Sequence, residues 1–318
     1  MDIKSSEVNG RIYIRSFLQD YLPKSGLDPE MQHFTIELLN DKGKIYSDSE
    51  NRFTWGEFSF YVYSLMENEK NLIIQTGIAA GIELLILATD IIDDLVDRDQ
   101  KGAFHKILSE PNALTLSNAL LMESFHLFLT YSGDEQIKKL SIIIHSLQNS
   151  CNGQWRDLSF IVGDNIPTEE QYFQLIEQKS VSLIFLIFGL CHAEQDPILQ
   201  ELASCIGYSG QLKNDARDIL SDNSNDLIHK KATLPLIKAI EYSMEKDQGL
   251  LLHKLKQLDT NKVDLELMCE LRDYIRNTGA VDYCLILAKL YINQAKVILN
   301  QCFPDKKEYT EKIIRLLD

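Results

Sequence analysis

Two segments near the N-terminus, Ile12–Tyr21 and Glu30–Leu39, carry apolar residues at the three- and four-residue spacing of a half-buried helix. The stretch 40–51 is polar and reads as a loop. Phe53–Leu65 is rich in aromatic residues, and its period fits strand and helix alike. The run Glu83–Ile92 is apolar on nearly every side, the pattern of a fully buried helix. Val181–Cys191 repeats that pattern and is too short to cross a bilayer. Turn-forming residues predict loops at Pro111–Asn112, Ser132–Glu135, Gly163–Thr168, His192–Pro197 and Ser221–Asp226. Thr168–Glu169–Glu170–Gln171 is a helix start, and Asn277–Thr278–Gly279 a stop and restart. The 318 residues hold only 7 prolines and 15 glycines, which favours long helices over many turns. No internal repeat is visible, so a single domain over residues 1–318 is expected, with N-terminal helices and the polar loop in 1–50.

The buried run leads directly into Asp93–Asp94–Leu95–Val96–Asp97. On a helix Asp93 and Asp97 share a face, with Asp90 one turn earlier. Carboxylates at the end of a desolvated helix need cations or donors. Oxygens crowded this way suit a hard divalent ion such as Mg2+ shared with a phosphate. The plainer reading is a solvated acidic helix end. A second cluster, Gly210–Asp218, repeats the geometry, with Asn214 and Asp218 one turn apart and Asp215 adjacent. Here Lys213 and Arg217 would also fit an ordinary salt-bridged surface. A polar turn follows, then Asp226–Leu227–Ile228–His229–Lys230–Lys231–Ala232–Thr233–Leu234–Pro235.

Asp-Asp-x-x-Asp, then Gln211-x-x-Asn214-Asp215-x-x-Asp218, then Asp-Leu-x-x-x-Lys-x-Thr-Leu-Pro resembles the trans-isoprenyl diphosphate synthases. Gly153–Gln154 with Asp157 is similar to the family's Gly-Gln-x-x-Asp helix, and Gln178–Lys179–Ser180 to its Lys-[Thr/Ser] helix. Thr278–Tyr283, with Ala288, Tyr291 and Ala295, is similar to its closing helices, so the likeness spans roughly residues 50 to 318. It implies an all-α, single-domain helical bundle with a central cavity, and a helix for Phe53–Leu65. It also implies Mg2+ held by Asp93, Asp97, Asn214 and Asp218, with Asp94 and Asp215 in the same catalytic clusters. An allylic prenyl diphosphate would be bound by Lys179, Gln211, Lys231, Arg52 and Lys101, and Ala88 and Thr89 would stand where the family sets chain length.

The departures narrow the resemblance. Chain-elongating members carry Gly-Lys-Arg-x-Arg-Pro upstream of the first aspartates, to grip isopentenyl diphosphate. This chain has Asn51–Arg52–Phe53–Thr54–Trp55–Gly56–Glu57–Phe58, and Gln100–Lys101–Gly102 where Arg-Arg-Gly is usual. Keeping the metal motifs without the anion grip resembles the ComQ-type pheromone tryptophan prenyltransferases. That implies transfer of a geranyl or farnesyl group to a tryptophan of a quorum-sensing precursor peptide. Three alternatives stay open: a short-chain prenyl diphosphate synthase, a terpene cyclase, and a non-catalytic regulatory subunit. The aromatics of Phe53–Tyr63 are either core packing or a surface that orients an indole.

Net charge is −15, which repels nucleic acid and anionic membranes, so neither is an expected partner. A second copy of the chain is counted among the candidate partners. The six cysteines show no Cys-x-x-Cys spacing and read as free thiols in a reducing cytoplasm. Met1–Asp2–Ile3–Lys4 has no apolar core behind it, so no signal peptide is expected.

Overall fold

A computed structural model describes residues 9–41, 43–47, 53–67, 71–97, 103–163, 165–191, 196–222, 224–259 and 264–318. Among the described residues the chain is all-α, with no strand beyond one isolated bridge between Ile161 and Lys231. In chain order the helices are α1 (Gly10–Tyr21), α2 (Pro29–Leu39), α3 (Trp55–Met66), α4 (Leu72–Val96), α5 (Glu110–Tyr131), α6 (Gln136–Asp157), α7 (Glu169–Ile176) and α8 (Ser182–Leu190). Then follow α9 (Pro197–Ile219), α10 (Asn225–Ile228), α11 (Leu234–Lys246), α12 (Leu250–Gln257), α13 (Leu265–Asn277), α14 (Ala280–Cys302) and α15 (Lys307–Leu317). Backbone proximity groups them into two compact units. The first comprises Met1–Ile144, Ile187–Glu194 and Asn300–Asp318, the second His145–Leu186 and Gln195–Leu299.

In the first unit the ambiguous aromatic segment is the helix α3. Thr54 caps it by accepting the Glu57 N–H at 3.3 Å, and every residue from Gly56 to Leu65 is buried. A helix buried on all sides has no polar face, which is why its period was unreadable. α4 is buried from Gln75 to Ala88 and packs against α5, α3 and α1. One expected loop is corrected here. Pro111 lies in the first turn of α5, where Ser109 caps the helix and a missing N–H costs nothing.

In the second unit α7 starts at a full capping box between Thr168 and Gln171. It continues through one turn of π-helix, Glu177–Val181, into the apolar α8. Asp196 caps α9 through the Ile198 N–H at 2.9 Å. Gly279 takes φ +79° between α13 and α14, a conformation that disfavours side chains, and so makes the restart expected there. Leu212, Ile219, Leu234, Ile237, Leu251, Leu271 and Ile275 are fully buried at the centre of this unit. Leu72–Val96 and Glu169–Leu190 are long and apolar enough to cross a membrane, and each is mostly buried inside the protein.

Gly153 sets how closely α6 approaches the π-turn, since a Cβ there would stand 2.4 Å from the Lys179 nitrogen. Backbone cannot yield as a side chain tip does. Gly153→Ala is expected to cost about 1–3 kcal/mol, the range for overpacking a tight interior. Urea unfolding checks this, and an unchanged midpoint would show that the two elements separate freely.

Candidate functional site

The second unit brings five of the picked residues into a local charged network. Lys179 leaves the π-turn and pairs with Asp157 at the end of α6 at 2.7 Å. Lys231 reaches the same carboxylate at 3.7 Å. It is held there because the segments after α6 and α10 pair: Val162 N–H donates to Lys230 O at 2.7 Å and Ala232 N–H to Phe160 O at 2.8 Å. On α9, Gln211 donates to Asp215 at 2.7 Å and accepts from the Ser180 hydroxyl at 2.8 Å. Asp215 is buried and also accepts from the Tyr172 hydroxyl at 2.6 Å. Asp218 accepts from Ser224 at 2.6 Å and from the Asp226 N–H at 3.0 Å. Asn214, one turn before Asp218, is exposed.

The electrostatics of this network are short of cations. Four carboxylates, of Asp157, Asp215, Asp218 and Asp226, meet two ammonium groups, of Lys179 and Lys231. Burial raises the Asp215 pKa to about 6, against the opposing hydrogen bonds from Tyr172 and Gln211. Burial, then the charges of Asp215 and Asp218, raise Asp226 to about 8 despite Lys231. Tyr172 is pushed well up by burial and by Asp215. Carboxyl groups held this far above their ordinary range are sites where an added cation is stabilising.

In the first unit Asp93 and Asp94 lie in the last turn of α4, and Asp97 is its C-cap, with its N–H donating to Asp93 O at 2.8 Å. All three are partly exposed. Ala88 is fully buried, and its carbonyl accepts from Ser117 of α5 at 2.8 Å. Thr89 turns its hydroxyl to the Ile86 carbonyl at 3.0 Å. Arg52 and Lys101 lie outside the described residues. Of the aromatics, Phe58 and Phe60 are core. Phe53 and Trp55 are partly exposed and meet edge to face at 5.4 Å.

The segment that stands in place of the family's anion grip has the carboxylates of Glu57 and Glu83 at it. Glu57 is buried and paired with Arg11 at 2.7 Å. Glu83 is buried and accepts the Gly56 N–H at 2.9 Å. Burial raises its pKa to about 7, and the nearby Glu57 adds to this against Lys44.

Among the described residues no three acidic, histidine or cysteine side chains are arranged to hold a metal by themselves. The oxygen-rich clusters nevertheless fit Mg2+. That ion uses one or two carboxylates and completes its shell with water and phosphate oxygens. Asp157, Tyr172 and Asp226 were not picked from sequence as site residues. Asp157 and Asp226 stand in the two flanking motifs and were legible there. Tyr172 is one aromatic on an amphipathic helix, with no local signal. The amide of Gln154, one turn before Asp157, is buried with no hydrogen-bond partner at either atom. A cleft of about 490 Å3 between Arg156, Glu170, Phe173, Glu177 and Tyr208 touches none of the picked residues.

The polyprenyl synthetase family model matches residues 55–271. The short chain isoprenyl diphosphate synthase of Methanothermobacter thermautotrophicus is 28% identical over 238 residues, 69% of this chain and 71% of that protein. The tryptophan prenyltransferase ComQ of Bacillus spizizenii is 29% identical over 287 residues, 86% of this chain and 97% of that protein. A crystal structure of a polyprenyl synthase from Caulobacter crescentus, complexed with calcium and isoprenyl diphosphate, superposes with a TM-score of 0.77 at 20% identity. The match covers 96% of this chain and 93% of that one, and the fold is therefore the same.

An acid whose pKa is raised on folding stabilises the folded state while it is protonated. For Glu83 that contribution is complete below about 4.5 and is lost as the pH climbs through about 7. Glu83→Gln keeps an acceptor for the Gly56 N–H and removes the titration. It is expected to gain about 3 kcal/mol relative to the parent between acid and pH 8. Denaturant titrations across that range test this, and parallel pH profiles for the two proteins would refute it.

Proposed function

Since this chain belongs to the polyprenyl synthetase family, we propose that it transfers a geranyl or farnesyl group from its diphosphate to a tryptophan of a pheromone precursor peptide. That it is an alkyl-transferring enzyme follows from the family. The finer reading is supported by one contrast. Similarity to a tryptophan prenyltransferase extends over 97% of that relative, while the segment that replaces the family's anion grip carries Glu57 beside Glu83.

In this reading residues 1–318 act as one catalytic domain. Asp93, Asp97, Asn214 and Asp218 would hold Mg2+, with Asp94 and Asp215 in the same acidic clusters. Bound Mg2+ supplies charge that stabilises the departing diphosphate. Lys179 and Lys231 bind diphosphate oxygens, exchanging part of their pairing with Asp157 for the ligand. Gln211 orients Asp215 and Ser180. Tyr172 fixes Asp215 from the other side, so the helix face that carries Asp218 is held while charge moves. The electron-rich carbon of an indole captures the allylic cation and then loses its proton. Phe53 and Trp55, partly exposed at the start of α3, would orient that ring by edge contacts worth about 0.5–1.5 kcal/mol each. Buried thiols such as Cys191 and Cys284 accord with a reducing cytoplasm.

A second reading, a short-chain prenyl diphosphate synthase, is favoured by the 28% identity of the Methanothermobacter relative, against 29% for the tryptophan prenyltransferase. It needs two neutralised diphosphate sites, whereas the peptide reading needs one. Isotope-labelled donor incubated with isopentenyl diphosphate, or with a Trp-containing peptide, separates the two. Label is expected on the peptide, and equal labelling of its Trp→Ala counterpart would end the indole reading.

Asp93→Asn and Asp218→Asn are each expected to lower transfer by roughly a hundredfold or more, the scale of losing charge stabilisation at a leaving group. Circular dichroism is expected to stay that of the parent. Undiminished turnover in EDTA would rule out the metal-assisted mechanism.

A further inference from the structure

Lys44 lies between α2 and α3, on the connection that leads into the aromatic segment. The connection is built, not loose. Arg15 of α1 donates to the carbonyls of Ile45 at 2.6 Å and Ser47 at 2.7 Å, Tyr46 N–H donates to Leu39 O at 2.8 Å, and Ile45 is fully buried. This fixes Lys44 with its side chain 13% exposed and its ammonium paired with Asp90 of α4, whose side chain is 52% exposed. Asp90 stands one turn before Asp93 and Asp94. Burial alone would lower the lysine's pKa. Asp90, and behind it Glu83 and Asp94, hold it above the ordinary lysine value. The ammonium therefore stays charged, largely dry, and set against three carboxylates of one helix.

Nothing in α4 itself calls for Asp90. Aspartate is a weak helix former, and the negative end of a helix disfavours it. Its neighbour Ile91 is buried and serves packing, whereas Asp90 is exposed. Its ion-pair partner is Lys44. Without Asp90 that ammonium would lose its direct partner and keep only the more distant Glu83 and Asp94 of α4. A cation there is what a second diphosphate requires, because charge-assisted bonds to phosphate oxygens are strong where water is scarce.

We propose that Asp90 determines acceptor specificity: it engages Lys44 in an internal ion pair, denies it to the diphosphate of a second prenyl substrate, and so reserves the allylic cation for an uncharged acceptor. The inference rests on the peptide-acceptor reading above. It assigns to one exposed carboxylate a role that no metal motif includes.

The test uses the full chain with Mg2+, geranyl diphosphate and isopentenyl diphosphate, and follows by mass spectrometry the prenyl diphosphate longer by one five-carbon unit. Asp90→Leu and the near-isosteric Asp90→Asn are made alone and with Lys44→Met, so that one poorly folding variant does not leave the question open. Peptide transfer by the parent protein is measured in parallel. Each folded Asp90 variant is expected to gain extension by roughly tenfold to a hundredfold, the effect of one charge-assisted hydrogen bond, and Lys44→Met is expected to cancel the gain. No gain in a folded Asp90 variant, beside intact peptide transfer by the parent, overturns this proposal alone. A gain that survives Lys44→Met does the same. Sustained extension by the unaltered chain overturns the peptide-acceptor reading, and this proposal with it.

Discussion

Asp157 is the charge around which the second unit's network is ordered. It takes Lys179 from the π-turn and Lys231 from the segment after α10, so three elements distant in sequence meet at one carboxylate. Two ammonium groups shared with four carboxylates leave the network net negative. Burial and neighbouring carboxylates accordingly hold Asp215 near 6 and Asp226 near 8. Such an arrangement is costly as a structural device, since buried ion pairs add little to stability over apolar packing. Under the proposed function it would serve as a preformed receptor for a cation with its anion.

The packing that holds this network is close and local. Gly153 lets α6 lie against the backbone of the π-turn, and Ser150 donates to the Lys179 carbonyl at 3.0 Å. A π-turn leaves backbone groups without their regular helical partners, and side chains from α6 take up part of the deficit. The lysine therefore leaves its helix where the backbone is held from outside.

In the first unit the same physics works in the opposite sense. Lys44 meets Asp90, Arg11 meets Glu57, and Glu83 is left with a backbone donor and a pKa near 7. Lys44 and Arg11 are thus engaged by internal carboxylates.

Much of this was legible in the residues themselves. The apolar run before Asp93, the capping box at Thr168 and the stop at Gly279 are local, and the structure has helices that begin and end there. One-turn spacing fixed which carboxylates share a face of α4 or α9, because helix geometry leaves no freedom in it. Pro111 misled, since the same residue marks a loop or a helix start depending on its neighbours. The aromatic segment was silent because burial on every side erases periodicity. What tertiary structure alone decided were the partners: Lys231 with Asp157, Tyr172 with Asp215, Lys44 with Asp90. No spacing rule links residues 43, 46 or 74 positions apart. Their pairing depends on how buried helices stack, and the energy of a desolvated charge makes each pairing decisive once the stack is formed.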